Sequence, residues 1–258
     1  MSQHVETRTV PKRALAFGAH PDDIEFGAGA TLAQWSTQGC DVVMAVFTDG
    51  SKGAWDPGAD RAELIETRIQ EQRRAASELG ASDTVMMGYI DGDLWYTPAV
   101  VEEVCRLIRT YRPDVVLGHD PWKRYRLHPD HRHAGFATVD GVVAARDHLF
   151  FPDQGLPAHR PSALWLFEAD QPNHWEPIDL GFTAKMAALA AHHSQWESTM
   201  GATDEASWQR FVDEQKAKYS ADPPRSKREP SDESGRSDAT SPGEDRAKWE
   251  SFHVISDV

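Results

Sequence analysis

The sequence predicts an α/β fold, a mostly parallel sheet with helices on both faces. Three observations lead there. Short apolar runs alternate with longer helical patterns from residue 13 to residue 170, and such a βαβα series builds a parallel sheet covered by helices. The runs are continuous in Val, Leu and Ala, as strands buried on both faces read. Several of them stop at His, Asp or Gly, and ligands in such folds bind beyond the carboxyl ends of the strands.

The elements follow in order. Residues 13–19, RALAFGA, form the first strand, and 27–38 a helix that Gly39 ends. CDVVMAVFTDGS (40–51) is a Val-rich second strand that runs out at Asp49-Gly50. Residues 61–80 are a helix with a stop at Gly80, and 83–94 a third strand ending in Asp-Gly-Asp. Residues 97–111 are a helix with Pro98 in its first turn. PDVVLGHD (113–120) is a fourth strand, 130–149 a helix and 162–170 a fifth strand. Two amphipathic helices follow at 181–196 and 204–219. Residues 221–246 are almost devoid of apolar side chains and read as a disordered loop. Residues 248–255 turn apolar again and read as a closing strand.

The 258 residues and their 40% hydrophobic fraction suit a single domain over 1–258. A net charge of −14 argues against a nucleic-acid backbone or an anionic membrane as partner. Cys40 and Cys105 form no CxxC and no disulfide framework, so they read as buried thiols in a reducing compartment. The polar start MSQHVETRTVPKR lacks the apolar core of a signal peptide. No stretch approaches the ~18 apolar residues of a membrane helix. The expectation is a soluble, cytoplasmic protein.

The chemistry gathers in two places. The first strand ends in His20-Pro21-Asp22-Asp23-Ile24-Glu25, with two adjacent carboxylates beside a histidine. Like charges repel in such proximity, and a cation offsets the repulsion. More than a hundred residues on stands His128-Pro129-Asp130-His131. Each of these residues alone is more often a cap or a polar core group. Together, two His/Asp clusters at strand ends supply what a catalytic zinc site needs: three His or carboxylate ligands and an open position. The donor set also admits other divalent first-row ions. His20 and Asp23 can face one point across the Pro-Asp turn, and Asp22 then lies near the water that a metal would activate. Asp49 and Asp93 are explained as turn residues.

AHPDDIEFGAGATLA closely resembles the opening motif of the LmbE-like, or PIG-L, deacetylases, and HPDHR resembles their second motif. TDGSKG (48–53), TRIQEQRRAASELG (67–80), GYIDGDL (88–94), KMAALAAHHSQ (185–195) and the closing ESFHVI also fit. The resemblance covers about residues 13–200 and the chain end. It implies a Rossmann-like, zinc-dependent N-deacetylase. The implied zinc ligands are His20, Asp23 and His131. The implied general base is Asp22, the implied oxyanion stabiliser His128, with Asp130 orienting and charging it. Arg68 and Asp91 stand at substrate-contact positions. Some sugar deacetylases of the family carry a Tyr two residues before the second-motif His, whereas this chain has Arg126 there, after Tyr125. Glu25 reads as a helix N-terminal carboxylate rather than a ligand.

The expected reaction is removal of an N-acetyl group from an N-acetylglucosamine-type conjugate, giving acetate and a free amine. Trp55, Trp95, Trp122, Tyr125 and Trp175 lie in loops near strand ends, where they either stack on sugar faces or pack the loops. Cleavage of a thiol-cofactor conjugate, and a metal-binding homologue without activity, are the alternatives. A homo-oligomer is compatible with the sequence. A dinucleotide site is disfavoured, because the third glycine of GxGxxG falls at Leu32 and the acidic turn repels pyrophosphate.

Overall fold

The computed structural model describes residues 9–220 and 247–258. The disordered loop expected at 221–246 lies outside the described residues. Strand β1 (Arg13–Gly18) leads into helix α1 (Asp23–Thr37), β2 (Asp41–Thr48), α2 (Arg61–Glu78) and β3 (Asp83–Tyr89). The chain continues through α3 (Pro98–Tyr111), β4 (Val115–His119), α4 (Pro129–Arg146) and β5 (Ala163–Phe167). It ends with β6 (His174–Pro177), α5 (Phe182–Ala191), α6 (Trp196–Met200), α7 (Glu205–Tyr219) and β7 (Trp249–Ser256).

The strands form one sheet in the order β3-β2-β1-β4-β5-β7-β6. The first five run parallel, and β7 and β6 are antiparallel to their neighbours. Alternate side chains of each strand feed different cores. Ala14, Ala16, Val42 and Met44 pack with Ile24, Leu32 and Trp35 of α1 and with Ala75 and Leu79 of α2. Leu15, Phe17, Val43 and Phe47 pack with Val104 and Ile108 of α3 and with Ala134 and Ala145 of α4. Phe182, Met186, Trp208 and Phe211 form a smaller cluster that seats α5 and α7 on Ala30 of α1.

Several boundaries move relative to the sequence expectation. Helix α1 begins at Asp23 and not at residue 27, so Asp23 and Glu25 lie in its first turn. The expected helix 181–196 breaks at His192, where a short 3₁₀ turn intervenes before α6. Strand β6 was not anticipated. It is short and sits at the sheet edge, paired only with β7, so its sequence carries little of a strand's signal.

The order of strands reverses between β1 and β4. Crossovers on opposite sides diverge there and open a crevice at the carboxyl ends. His20 follows β1 and His119 ends β4. The two halves of the chain therefore deliver their histidines to one place. Gly27 lets α1 lie close to the sheet: a Cβ there would stand 2.3 Å from the Phe167 ring.

Candidate active site

Helix N-termini build the site. Asp60, Thr97 and Asp204 cap α2, α3 and α7 with side-chain hydrogen bonds. The N-cap residues of α1 and α4 are Asp22 and His128, and neither side chain makes a cap bond. An Asp normally satisfies an orphan N–H at that position. Here both N-cap side chains are left for other work, with Pro129 setting the first turn of α4.

Asp22 also has a left-handed backbone, with φ 97°. A non-glycine residue persists in that region only where its surroundings hold it. Its N–H donates to Gln72 Oε1 at 3.2 Å, and its carbonyl accepts from Phe26 N at 3.0 Å. Gln72 in turn donates to Glu25 at 2.6 Å, which lies 3.4 Å from His192. Glu25, Gln72 and His192 are fully buried. Glu25 is thus no ligand to the cluster, as expected. Its neighbours are side chains of α2 and of the turn after α5.

Four donor atoms from three residues converge at the turn that holds Asp22. His20 Nδ1 lies 3.3 Å from Asp23 Oδ2 and 3.1 Å from His131 Nε2, and His131 Nε2 lies 3.3 Å from Asp23 Oδ1. A tetrahedral site with metal–ligand bonds near 2.0–2.1 Å has its donors about 3.3 Å apart. The spacing and the His/Asp/His chemistry therefore fit a divalent first-row ion such as zinc.

Outer carboxylates surround this set. His20 Nε2 faces Asp130 Oδ2 at 3.1 Å and Asp91 Oδ1 at 3.3 Å. A carboxylate on the far nitrogen of a ligating imidazole fixes its tautomer and raises its basicity. Asp91 accepts from Lys52 N at 3.0 Å, and Asp130 from Gly92 N at 2.6 Å and Leu94 N at 3.3 Å. Asp130 and His128, expected as partners, have donor atoms within 4.8 Å of one another but make no direct hydrogen bond. The carboxylate of Asp130 faces His20 and the backbone of the loop after β3, and its hydrogen bonds are made there. His128 is exposed and held below the ordinary histidine pKa, by desolvation first and then by the neighbouring His20.

The electrostatics show the strain of packed carboxylates. Burial pushes Asp22 up to about 6; Arg68 opposes this and Asp23 adds to it. Burial works against a charged His20, yet Asp130, Asp23 and Asp91 together hold it well above its usual range. His131 is pushed down to about 3 by burial, so it offers a lone pair at neutral pH. A cluster this rich in negative charge favours a cation at its centre.

Arg68 is buried and its guanidinium is occupied. It donates to Pro21 O at 2.6 Å and Gly50 O at 3.0 Å, and lies 3.5 Å from Asp22 Oδ2. Gly50 makes room for it, since a Cβ there would meet Arg68 at 2.6 Å. Arg126 approaches His131 Nδ1 at 2.6 Å and pairs with Glu168. Tyr125 beside it points away into solvent and is 92% exposed. Arg126, not Tyr125, therefore faces the cluster.

Sequence reasoning gave no role to His119, Gln72 or Glu168. His119 Nε2 lies 3.2 Å from Asp23 Oδ2, and its ring stacks on His131 at 4.4 Å. Its place at the end of β4, next to β1 across the reversal, was the available signal. Gln72 follows Arg68 by one helical turn, which puts both on one face of α2. Glu168 had no such signal, because its approach to His119 depends on a left-handed backbone after β5. Asp49 is explained as a turn residue, accepting from Ser51 N and Asp91 N.

The family model described as PIG-L, GlcNAc-PI de-N-acetylase, matches residues 15–142. A diacetylchitobiose deacetylase of Thermococcus kodakarensis is 36% identical over 72% of this chain and 70% of its own. The chain belongs to the PIG-L family. A 1D-myo-inositol 2-acetamido-2-deoxy-alpha-D-glucopyranoside deacetylase of Rhodococcus erythropolis is 33% identical over 60% of either chain. Among solved structures, the N,N'-diacetylchitobiose deacetylase of Pyrococcus horikoshii aligns with a TM-score of 0.76 and 26% identity. It covers 95% of this PIG-L chain and 84% of its own. Among the described residues no helix is long and apolar enough to cross a membrane.

Proposed function

We propose that this PIG-L protein is a zinc-dependent N-deacetylase that hydrolyses the acetamide of an N-acetylglucosamine-type conjugate to acetate and a free amine. The observation that carries the reading is the convergence of His20, Asp23 and His131 at 3.1–3.3 Å beside an uncapped Asp22. The relatives named above as deacetylases of acetylated amino sugars support it.

His20, Asp23 and His131 would hold the ion, with Asp91 and Asp130 orienting His20 and with His119 orienting Asp23. When bound, zinc polarises a carbonyl and makes water acidic near neutral pH. Asp22 accepts the proton from the attacking water. Burial raises this carboxyl above the ordinary carboxylate range, which makes it a stronger base. His128 donates an N–H to the oxygen that becomes negative as the carbonyl carbon turns tetrahedral. Asp22 then returns its proton to the nitrogen, and the C–N bond breaks. Arg68 keeps Asp22 aimed through contacts to Pro21 O and to the carboxylate itself. Asp91, at a substrate-contact position by resemblance, also steadies His20 from 3.3 Å.

The test is acetate release from a panel of N-acetylated amino sugars and glycosides, before and after chelation and after adding zinc back. Release that chelator stops and zinc restores is expected. A protein carrying one equivalent of zinc that releases no acid from any acylated amine would overturn the reading.

A further inference from the structure

We propose that Trp95 is a stacking platform for a second sugar ring, so that the site selects N-acetylated disaccharides or glycosides over the free monosaccharide. This deepens the deacetylase reading and rests on it. Trp95 is 65% exposed. A single exposed apolar side chain needs no explanation in itself. What sets this one apart is how firmly it is held. Its ring stacks on His133 at 5.5 Å with an interplanar angle of 30°. Its Nε1 donates to Asp93 Oδ1 at 2.9 Å. The preceding Leu94 is clamped through both backbone groups, N to Asp130 at 3.3 Å and O to His133 Nδ1 at 2.5 Å. A ring already fixed loses little freedom when a ligand lies on it, which is the main cost of using an aromatic contact.

The platform belongs to the active site. Asp130 bonds Gly92 N and Leu94 N on one side and faces His20 Nε2 on the other. One carboxylate thus ties the Trp95 loop to the metal-ligand cluster. His133 is two residues beyond His131 on α4.

A pyranose fits the surroundings of Trp95. One face of a sugar ring presents C–H groups and its rim presents hydroxyls. An indole takes the face, and the exposed Asp93 beside it accepts from the rim. A second copy of the chain fits less well, because a net charge of −14 sets like charges against each other in a self-contact.

The experiment compares kcat/KM for N,N'-diacetylchitobiose with that for N-acetylglucosamine in wild type, W95A and W95F, with sedimentation of each. Wild type favours the disaccharide. W95A reduces that preference about three- to tenfold, the effect of losing one aromatic stacking contact, mainly through KM. W95F retains part of it. L149A, at an exposed residue beyond the far end of α4, keeps the wild-type ratio. An unchanged ratio in W95A overturns the proposal, as does a change of oligomeric state in W95A without a change of ratio. Absence of acetate release from both sugars in the zinc-loaded wild type instead overturns the parent reading for these substrates.

Discussion

At the scale of the residue, neighbours in sequence are turned to different surroundings. Asp23 turns into the donor set with His20 and His131, while Asp22 is held in a left-handed backbone by Gln72 and Arg68. Asp22→Asn keeps the shape of the side chain and removes the proposed base. It is expected to lower kcat by about 10²–10⁴-fold, with zinc content by mass spectrometry unchanged. His20→Ala and His131→Ala lose the ion as well as activity. Gln72→Leu removes the acceptor of the Asp22 N–H and leaves Glu25 without its donor. Unpartnered buried groups of this kind cost about 1–3 kcal/mol each, and misplacing a base costs rate beyond that. The expected result is a fall in kcat of about tenfold or more with metal retained. Full activity in Gln72→Leu would remove Gln72 from the machinery.

At the scale of the element, small residues and buried pairs decide how the helices sit. Gly27 lets α1 approach β5, so Gly27→Val drives a side chain into Phe167. Overpacking of that sort costs about 1–3 kcal/mol, and the expected readout is a lower midpoint in urea. Lys185 of α5 is fully buried and reaches Glu250 at 2.6 Å, Tyr219 at 2.7 Å and Phe26 O at 2.8 Å. Glu250 also accepts from Ala30 N and Thr31 N of α1. This one cluster therefore fastens α1, α5, α7 and β7 together. Lys185→Met leaves the buried charge of Glu250 with its two backbone donors but without its cation, and is expected to destabilise by about 3–5 kcal/mol. The double variant with Glu250→Gln should recover part of that loss, measured by denaturant titration. No recovery would show that the pair acts by shape alone.

At the scale of the whole molecule, stability is linked to protons and metal. Burial works against ionised Glu168, but His119 and Arg126 overcome it and hold its pKa down to about 2, against 4.5 ordinarily. A depressed carboxyl contributes stability that is complete above its unfolded pKa. That contribution disappears as pH falls through the folded value, so the metal-free protein is expected to weaken between about pH 4.5 and 2. Glu168→Gln is expected to flatten that part of the profile. Zinc bound only by the folded state raises the melting temperature with the logarithm of its free concentration above Kd, and chelation at neutral pH is expected to lower it. The sequence by itself determined the βαβα order, the parallel sheet and the two His-Pro-Asp motifs, because strand burial and turn chemistry are written locally. It also placed Asp22, Asp23, His20, His128 and His131 on strand and helix ends. Only the tertiary structure decided which atoms meet. Asp130 meets His20, Arg126 and not Tyr125 faces the cluster, and His119, Gln72 and Glu168 join it. Those choices depend on the reversal of strand order between β1 and β4, on the packing of α2 against α1, and on left-handed residues at three loop positions, Asp22, Tyr125 and Glu168. They arise between segments distant in the chain, where no local pattern of residues records them.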